Sequence, residues 1–311
     1  MIDSYVWGKV NRLSPEAPVP IVAVEKKENR LGGAANVALN IQALGANPIL
    51  CCVTGNDYYG KVFTDLLKKQ KLVHKGVVVS NARITTVKTR IIGNNHQLVR
   101  VDEELNDRLS KADAKKVVDK VTSLFSEAKI DAVVFEDYNK GLLFPELISD
   151  ITKLANKKNI PIIVDPKRAN FNDYAKSTLF KPNLKELCEG AKIEIEIINE
   201  KELNVITDAF RKKHSIDSIM VTLSEHGVYV NDGTYKKIIP AHKRSIADVS
   251  GAGDTVVSVA ALCTALKLPI EFTASLANLA GGLVCEHVGV IPVNKKQLLL
   301  EAEAILTKSI K

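Results

Sequence analysis

Apolar runs of strand length alternate with longer stretches of helical period along most of this chain. "NPILCCVTG" (47–55) precedes "YYGKVFTDLLKKQK" (58–71), and "IDAVVFED" (130–137) precedes "LFPELISDITKLANKKN" (143–159). "IPIIVDP" (160–166), "TLFKPN" (178–183) and "SIMVTL" (218–223) read as further strands, followed by two short β-like pieces, "GVYVND" and "TYKKIIPA". Two helices are expected over 251–267 and 270–286, and a last one from Lys295. Strands that are apolar throughout must be covered on both faces. The pattern therefore predicts an α/β fold, a central and mostly parallel sheet flanked by helices. In such folds ligands gather at the carboxyl ends of the strands. Asp137, Asp165, Asn183 and Ser224 stand there.

Two segments depart from this pattern. "PIVAVEKKENRL" with its flanks and "ARITTVKTRIIGNNHQLVRVDEE" alternate like half-exposed antiparallel strands, and "GNN" (93–95) suits a hairpin turn. They are expected to form a small β-lid from about 5–31 and 82–104 on a single domain spanning 1–311. No repeat or low-complexity linker divides the chain.

The stretch with the most chemistry is "DVSGAGDT" (248–255). Ser250 suits an N-cap, the glycines let the backbone approach a ligand, and the free N–H groups of the following helix make an anion site. Asp254 in the first turn is favoured there by the helix dipole alone. Beside an anion hole it also suits a general base, taking a proton from a hydroxyl while the amides of Gly251, Ala252 and Gly253 stabilise charge on a moving phosphoryl group.

"DVSGAGD" resembles the D-T-x-G-A-G-D signature of the PfkB (ribokinase-like) carbohydrate kinases. "GGAANVALNIQALGANPILCCVTG" (32–55) is similar to the other signature of that family, with Asn36, Gly45 and Gly55 at its spacing. The segments "RLSPEAPVPIVAVE", "GNDYYGKVF", "EDYNKGLL", "VDPKRANFNDYA" and "KPNLKE" are similar to the kinase domain of the heptose 7-phosphate kinase / ADP-heptose synthase subgroup. The likeness covers essentially the whole chain. It implies an ATP-dependent phosphotransfer to the anomeric hydroxyl of a heptose 7-phosphate, giving a heptose 1,7-bisphosphate on the route to ADP-heptose and lipopolysaccharide.

The resemblance also implies roles for individual positions. Asp254 is the base and Gly251, Ala252 and Gly253 the anion hole. Asn183 and Glu186 stand by the ATP phosphates, orienting water around a magnesium ion that ATP and water mainly hold. Thr222, Ser224 and Gly227 line the nucleotide and Asn278 the adenine. Asp3, Gly32, Gly33 and Asn36 hold sugar hydroxyls, with Asp137 at the adjoining strand end. Lys88, Arg90, Arg100 and Lys140 are candidates for the substrate's own phosphate, since one or two cations there are what a phosphorylated acceptor needs. A solvated strand face explains the first three equally, and a buried salt bridge explains Lys140. The family further implies a homodimer through the lid and, in some members, a monovalent cation.

Departures bear on the nucleotide side. "HVGV" (287–290) stands where the subgroup has a Gly-Thr, and "TLSEHG" (222–227) lacks its Arg-Gly. The family normally opens with a strand ending in Gly-Asp just before the segment seen here as "MIDSY". Its first strand is therefore expected to be missing, with Met1 an internal methionine and Asp3 left at an edge. No His-x-Gly-His motif occurs, so kinase activity without adenylyl transfer is expected of these residues.

Composition changes little. The net charge of +7 comes from scattered lysines, and aromatics make up only 5%, against a nucleic-acid groove. Five cysteines without metal spacing, no signal-like start and no apolar run of membrane length point to a cytoplasmic protein of reducing surroundings. The rival readings are a PfkB kinase for another sugar, such as ribose or fructose, and a catalytically inert nucleotide-binding protein.

Overall fold

A computed structural model describes residues 1–195 and 197–309. Strands β1 (Ile2–Leu13) and β2 (Pro20–Leu31) lead to helix α1 (Ala34–Ala43), β3 (Cys52–Gly55) and α2 (Tyr58–Lys69). Then come β4 (Val77–Ser80), β5 (Val87–Gly93), β6 (His96–Glu103), α3 (Lys111–Glu127), β7 (Val133–Glu136) and α4 (Pro145–Lys157). β8 (Ile162–Asp165), β9 (Leu179–Phe180), α5 (Leu184–Ala191), α6 (Glu200–His214) and β10 (Ser218–Thr222) continue the alternation. β11 (Val228–Asn231), β12 (Lys236–Ile239), α7 (Ala252–Ala265), α8 (Ile270–Val284) and α9 (Lys295–Ser309) complete it.

The main sheet has the order β12-β11-β10-β9-β8-β7. β7 to β10 run parallel, and β11 and β12 return antiparallel. Its strands alternate faces with period two. Ile162, Val164, Phe180, Ile219, Val221 and Tyr229 pack under α3, α4 and α6. Ile163, Leu179, Met220, Val228 and Val230 pack against α7, α8 and α1. Both faces are apolar because both are covered, as the continuous apolar runs require. β3 and β4 pair with each other in a separate two-stranded sheet.

The expected lid is a four-stranded sheet of order β2-β1-β5-β6. Its hairpin turns at Asn94 and Asn95, both left-handed, which matches the twist of the strands they join. The lid is rooted by Ile2, Leu31 and Val87, fully buried against Phe63 and Leu67 of α2 and Ala35 and Ala38 of α1. Asp3 is no edge residue. β1 lies inside the lid, with Asp3 opposite Arg30 of β2 and Lys88 of β5. One long strand pairing on both sides holds it, so it needs no support from the main sheet.

Candidate active site

The glycine turn of 248–255 opens α7, but Ser250 does not cap it. The N-cap is Gly251 at φ 81, without a side-chain cap, and the Ser250 N–H is itself donated to Asp248 Oδ1 at 2.9 Å. The left-handed turn falls one residue later than a serine cap needs, and only glycine adopts it freely. The Ala252 N–H reaches the Val249 carbonyl at 3.3 Å, while among the described residues no acceptor takes the N–H of Gly251, Gly253 or Asp254. A Cβ on Gly253 would meet nothing within 4 Å. Free donors at the positive end of a helix are the requirement for an anion hole, and at Gly253 the backbone carries nothing that would crowd a ligand. Of the three expected amides, that of Ala252 is the one already engaged.

Asp254, on the first turn of α7, is held at both oxygens. Asn36 Nδ2 donates to Oδ2 at 2.8 Å and the Tyr138 hydroxyl to Oδ1 at 2.8 Å. Asn36 is 1% exposed and is fixed in turn by Asn40, whose Nδ2 donates to the Asn36 carbonyl at 3.0 Å. Burial pushes the Asp254 carboxyl up to about 6, the two hydrogen bonds oppose it, nearby Asp165 adds to it and Lys181 subtracts. Such a carboxylate is ionised at neutral pH yet basic enough to take a proton.

Asp3, 2% exposed, comes from the lid and accepts a hydrogen bond from Arg90 Nη1 at 2.6 Å. Gly32 is needed beside it, because a Cβ there would lie 2.0 Å from Asp3 Oδ2. The other lid cations are also paired. Lys88 bonds Asp102 at 2.8 Å and Glu104 at 3.1 Å, Lys140 bonds Glu104 at 2.6 Å, and Arg100 grips Asp102 through two nitrogens at 2.8 and 3.0 Å. Lys88, Arg100 and Lys140 thus form one salt-bridge network, three cations on two carboxylates, with one positive charge left over. Arg30, absent from the sequence reading, joins this face. It stacks on Tyr5 at 4.9 Å while Arg90 lies over the same ring at 5.4 Å. The signal was its strand register, two residues before the glycine pair and opposite Asp3.

On the nucleotide side, Asn183 and Glu186 form a capping box on α5. The Glu186 N–H donates to Asn183 Oδ1 at 2.8 Å and the Asn183 N–H to Glu186 Oε2 at 2.9 Å, while Lys167 takes Oε1. Asn183 bridges to Thr222 across the ends of β9 and β10, Ser224 follows in a short 3-10 turn, and Gly227 closes that turn onto the Ser224 carbonyl. Asn278 of α8 donates to the Pro240 carbonyl at 2.9 Å, so its amide nitrogen ties α8 to the loop after β12 and its amide oxygen is what remains for a ligand.

Asp137 does not face the site. Its carboxylate is 2% exposed and accepts from the Asn139 N–H at 2.8 Å, Asn170 Nδ2 at 2.9 Å and the Tyr174 hydroxyl at 2.7 Å. It holds the loop after β7 and has no oxygen left for a sugar. Its neighbour Tyr138 reaches Asp254 instead. Strand alternation carried that information, since Glu136 and Tyr138 share a side and Asp137 takes the other. Glu136 and Asp165 stand opposite each other at the ends of β7 and β8. Burial and then Asp165 raise the Glu136 carboxyl well above the usual range, while Lys181 pairs with Asp165 at 2.9 Å. Glu136 Oε2 and Asp165 Oδ1 are buried without a hydrogen-bond partner among the described residues.

The five cysteines are all free thiols, with burial pushing Cys51 to about 11 and Cys52 to about 12, far from a reactive thiolate. Among the described residues no group of three or more His, Cys, Asp or Glu could cage a metal, and no helix is long and apolar enough to cross a membrane.

Residues 2–297 match the pfkB family carbohydrate kinase domain. The bifunctional protein HldE of Helicobacter pylori strain HPAG1 is 36% identical over 298 residues, covering 96% of this chain and 64% of that protein. HldE of Sulfurimonas denitrificans is 36% identical over 309 residues, 99% of this chain and again 64% of the relative. The chain thus spans just under two thirds of the length of these relatives. Among solved structures, phosphofructokinase-2 of Escherichia coli in complex with potassium has a TM-score of 0.81 at 18% identity, covering 98% of this chain and 96% of that one. Its complex with fructose-6-phosphate gives 0.78 at 18%, covering 97% and 95%. At these identities the structural likeness is one of fold, the ribokinase-like α/β fold, and the family rests on the sequence match. With that match running nearly end to end, the chain belongs to the pfkB family of carbohydrate kinases, phosphotransferases that act on a sugar hydroxyl.

Proposed function

We propose that the chain transfers the γ-phosphoryl group of ATP to the anomeric hydroxyl of a heptose 7-phosphate, giving a heptose 1,7-bisphosphate for ADP-heptose and lipopolysaccharide synthesis. The observation that carries the reading is one geometry. A carboxylate and free helix amides go with a lid that bears Lys88, Arg90 and Arg100, and with Lys140 of the loop after β7 bonded to the same carboxylate, Glu104, as Lys88. Asp254 takes the proton of the acceptor hydroxyl, and the N–H groups of Gly251 and Gly253 stabilise charge on the transferring phosphoryl oxygens. Asp3, Gly33 and Asn36 orient the sugar, and the lid cations exchange a carboxylate partner for the phosphate at its far end.

Magnesium, when bound with ATP, neutralises phosphate charge. It keeps most of its ligands as water and phosphate oxygens, so few protein contacts suffice. In this reading Asn183 and Glu186 orient that water once Lys167 yields Glu186 Oε1, and the unpartnered buried oxygens of Glu136 and Asp165 fit a site completed by a cation or its water shell. A monovalent cation belongs to the proposal through the family likeness, and turnover in potassium against sodium tests it. So does a cytoplasmic location, which suits five free thiols.

A homodimer through the lid is also part of the reading. β6 is exposed along its whole length, and Val99 and Val101 are 48% and 47% exposed. ADP release across a panel of free and phosphorylated sugars tests the substrate. Turnover confined to heptose 7-phosphates supports it, and faster turnover of free ribose or fructose overturns it.

A further inference from the structure

The residue between the loop-holding Asp137 and Asn139 has no role in the reading above, yet it touches the base. Tyr138 follows β7, its ring lies over the α1 turn, where a Cβ on Gly33 would meet Cε2 at 3.2 Å, and its hydroxyl donates to Asp254 Oδ1 at 2.8 Å. The loop that carries it is stiffly held, by three hydrogen bonds to Asp137 and by Arg83 donating to the Lys140 carbonyl at 2.8 Å. The phenol is therefore delivered to one place. We infer that Tyr138 is a positioning residue for the base, fixing the Asp254 carboxylate through Oδ1 and keeping it ionised in a buried setting.

The surroundings make that donor matter. Asp165 on β8 adds to the rise of the Asp254 carboxyl, Glu136 at the end of β7 lies near enough to interact with it, and Lys181 after β9 opposes the rise of both Asp254 and Glu136. Lys181 is already committed to Asp165 at 2.9 Å. Among the described residues no cation bonds Asp254 directly, so its charge rests on two neutral donors, Asn36 and Tyr138. A hydrogen bond to the charged form favours that form. Burial, then the charge of Asp254, raises the phenol well above its usual range. Tyr138 therefore keeps its proton across the working range and acts as a fixed donor, not as an acid or base. Asn36 also braces α1 through Asn40, so the phenol is the donor that one substitution removes cleanly.

The inference rests on Asp254 serving as the base, and its test separates the two. The full chain, labelled with carboxyl-13C aspartate, is titrated by NMR from about pH 4 to about pH 9 as wild type and as Tyr138→Phe, with Asp254→Asn identifying the resonance. In Tyr138→Phe the Asp254 carboxyl titrates about one unit higher, the expected effect of one lost hydrogen bond to a charged group. The acid limb of kcat/KM for ADP release moves up with it, and the plateau rate falls as well, because the carboxylate is then held by one donor fewer. An Asp254 resonance that titrates at the wild-type pH overturns the inference, and so does a rate loss equal at every pH. A wild-type chain that turns over no sugar overturns the kinase reading instead, and the titration still decides the role of Tyr138.

Discussion

Replacing Asp254 by Asn removes the base's charge while leaving its contacts. Asn36 still finds an amide oxygen, and the Tyr138 hydroxyl turns to accept from the new amide nitrogen, so the fold around the site is kept. The carboxyl titrates at about 6 in the fold against 3.8 for an ordinary aspartate. The folded chain thus binds this proton more tightly than the unfolded chain. Ionised Asp254 costs stability above its folded value, and the cost fades as pH falls toward the unfolded value. About two units correspond to about 3 kcal/mol. Asp254→Asn is therefore expected to be more stable than wild type near pH 8, by about 1–3 kcal/mol in denaturant unfolding, with the difference gone by about pH 4. Its kcat for ADP release falls by about 100- to 10,000-fold, the range for a lost general base, while ATP still binds. A variant that keeps a tenth of the rate, or that is no more stable than wild type near pH 8, refutes the reasoning. The first outcome removes the base assignment and the second removes the strained, buried carboxylate.

Other substitutions probe the remaining parts of the site. Gly32→Ala places a Cβ 2.0 Å from Asp3 Oδ2 and must displace the carboxylate held by Arg90. A loss of about 1–3 kcal/mol in thermal unfolding and a raised KM for the sugar are expected, and an unchanged sugar KM would contradict the crowding. Lys140→Met removes one of the three cations on Asp102 and Glu104 and frees Glu104 Oε1, while Lys88 keeps Oε2. It should raise KM for a phosphorylated acceptor by about tenfold or more and leave that for ATP alone, whereas an equal rise for both would place Lys140 outside the phosphate site. Wild type is expected to sediment as a dimer, and Val99→Asp with Val101→Asp, which sets charge on the exposed face of β6, as a monomer. A wild type that sediments as a monomer sinks the lid interface outright.

Much of the fold was legible because its periods are physical. A strand buried on both faces must be apolar throughout, and a half-exposed one must alternate, so main sheet and lid separate by inspection. α3 and α6 were passed over because their apolar positions are sparse. Their starts are nonetheless written as Ser110 and Asn199, which accept from the backbone N–H three residues on. Asp254 and its glycine turn were legible because anion site and base lie within one octapeptide. Asp137 was misread because strand-end position names a neighbourhood, not a direction.

The chain by itself determined the layers, the lid, the glycine turn and the family, since each depends on residues close in sequence or on patterns that repeat. Tertiary structure decided which groups meet. Asn36, Tyr138 and Asp254 come from α1, the loop after β7 and α7, and they touch only because β7 and α7 pack at the same end of one sheet. The pairing of the lid cations is of the same kind. Whether Lys140 is a salt bridge or a phosphate ligand depends on where Glu104 stands, and spacing along a chain carries no distance across a fold.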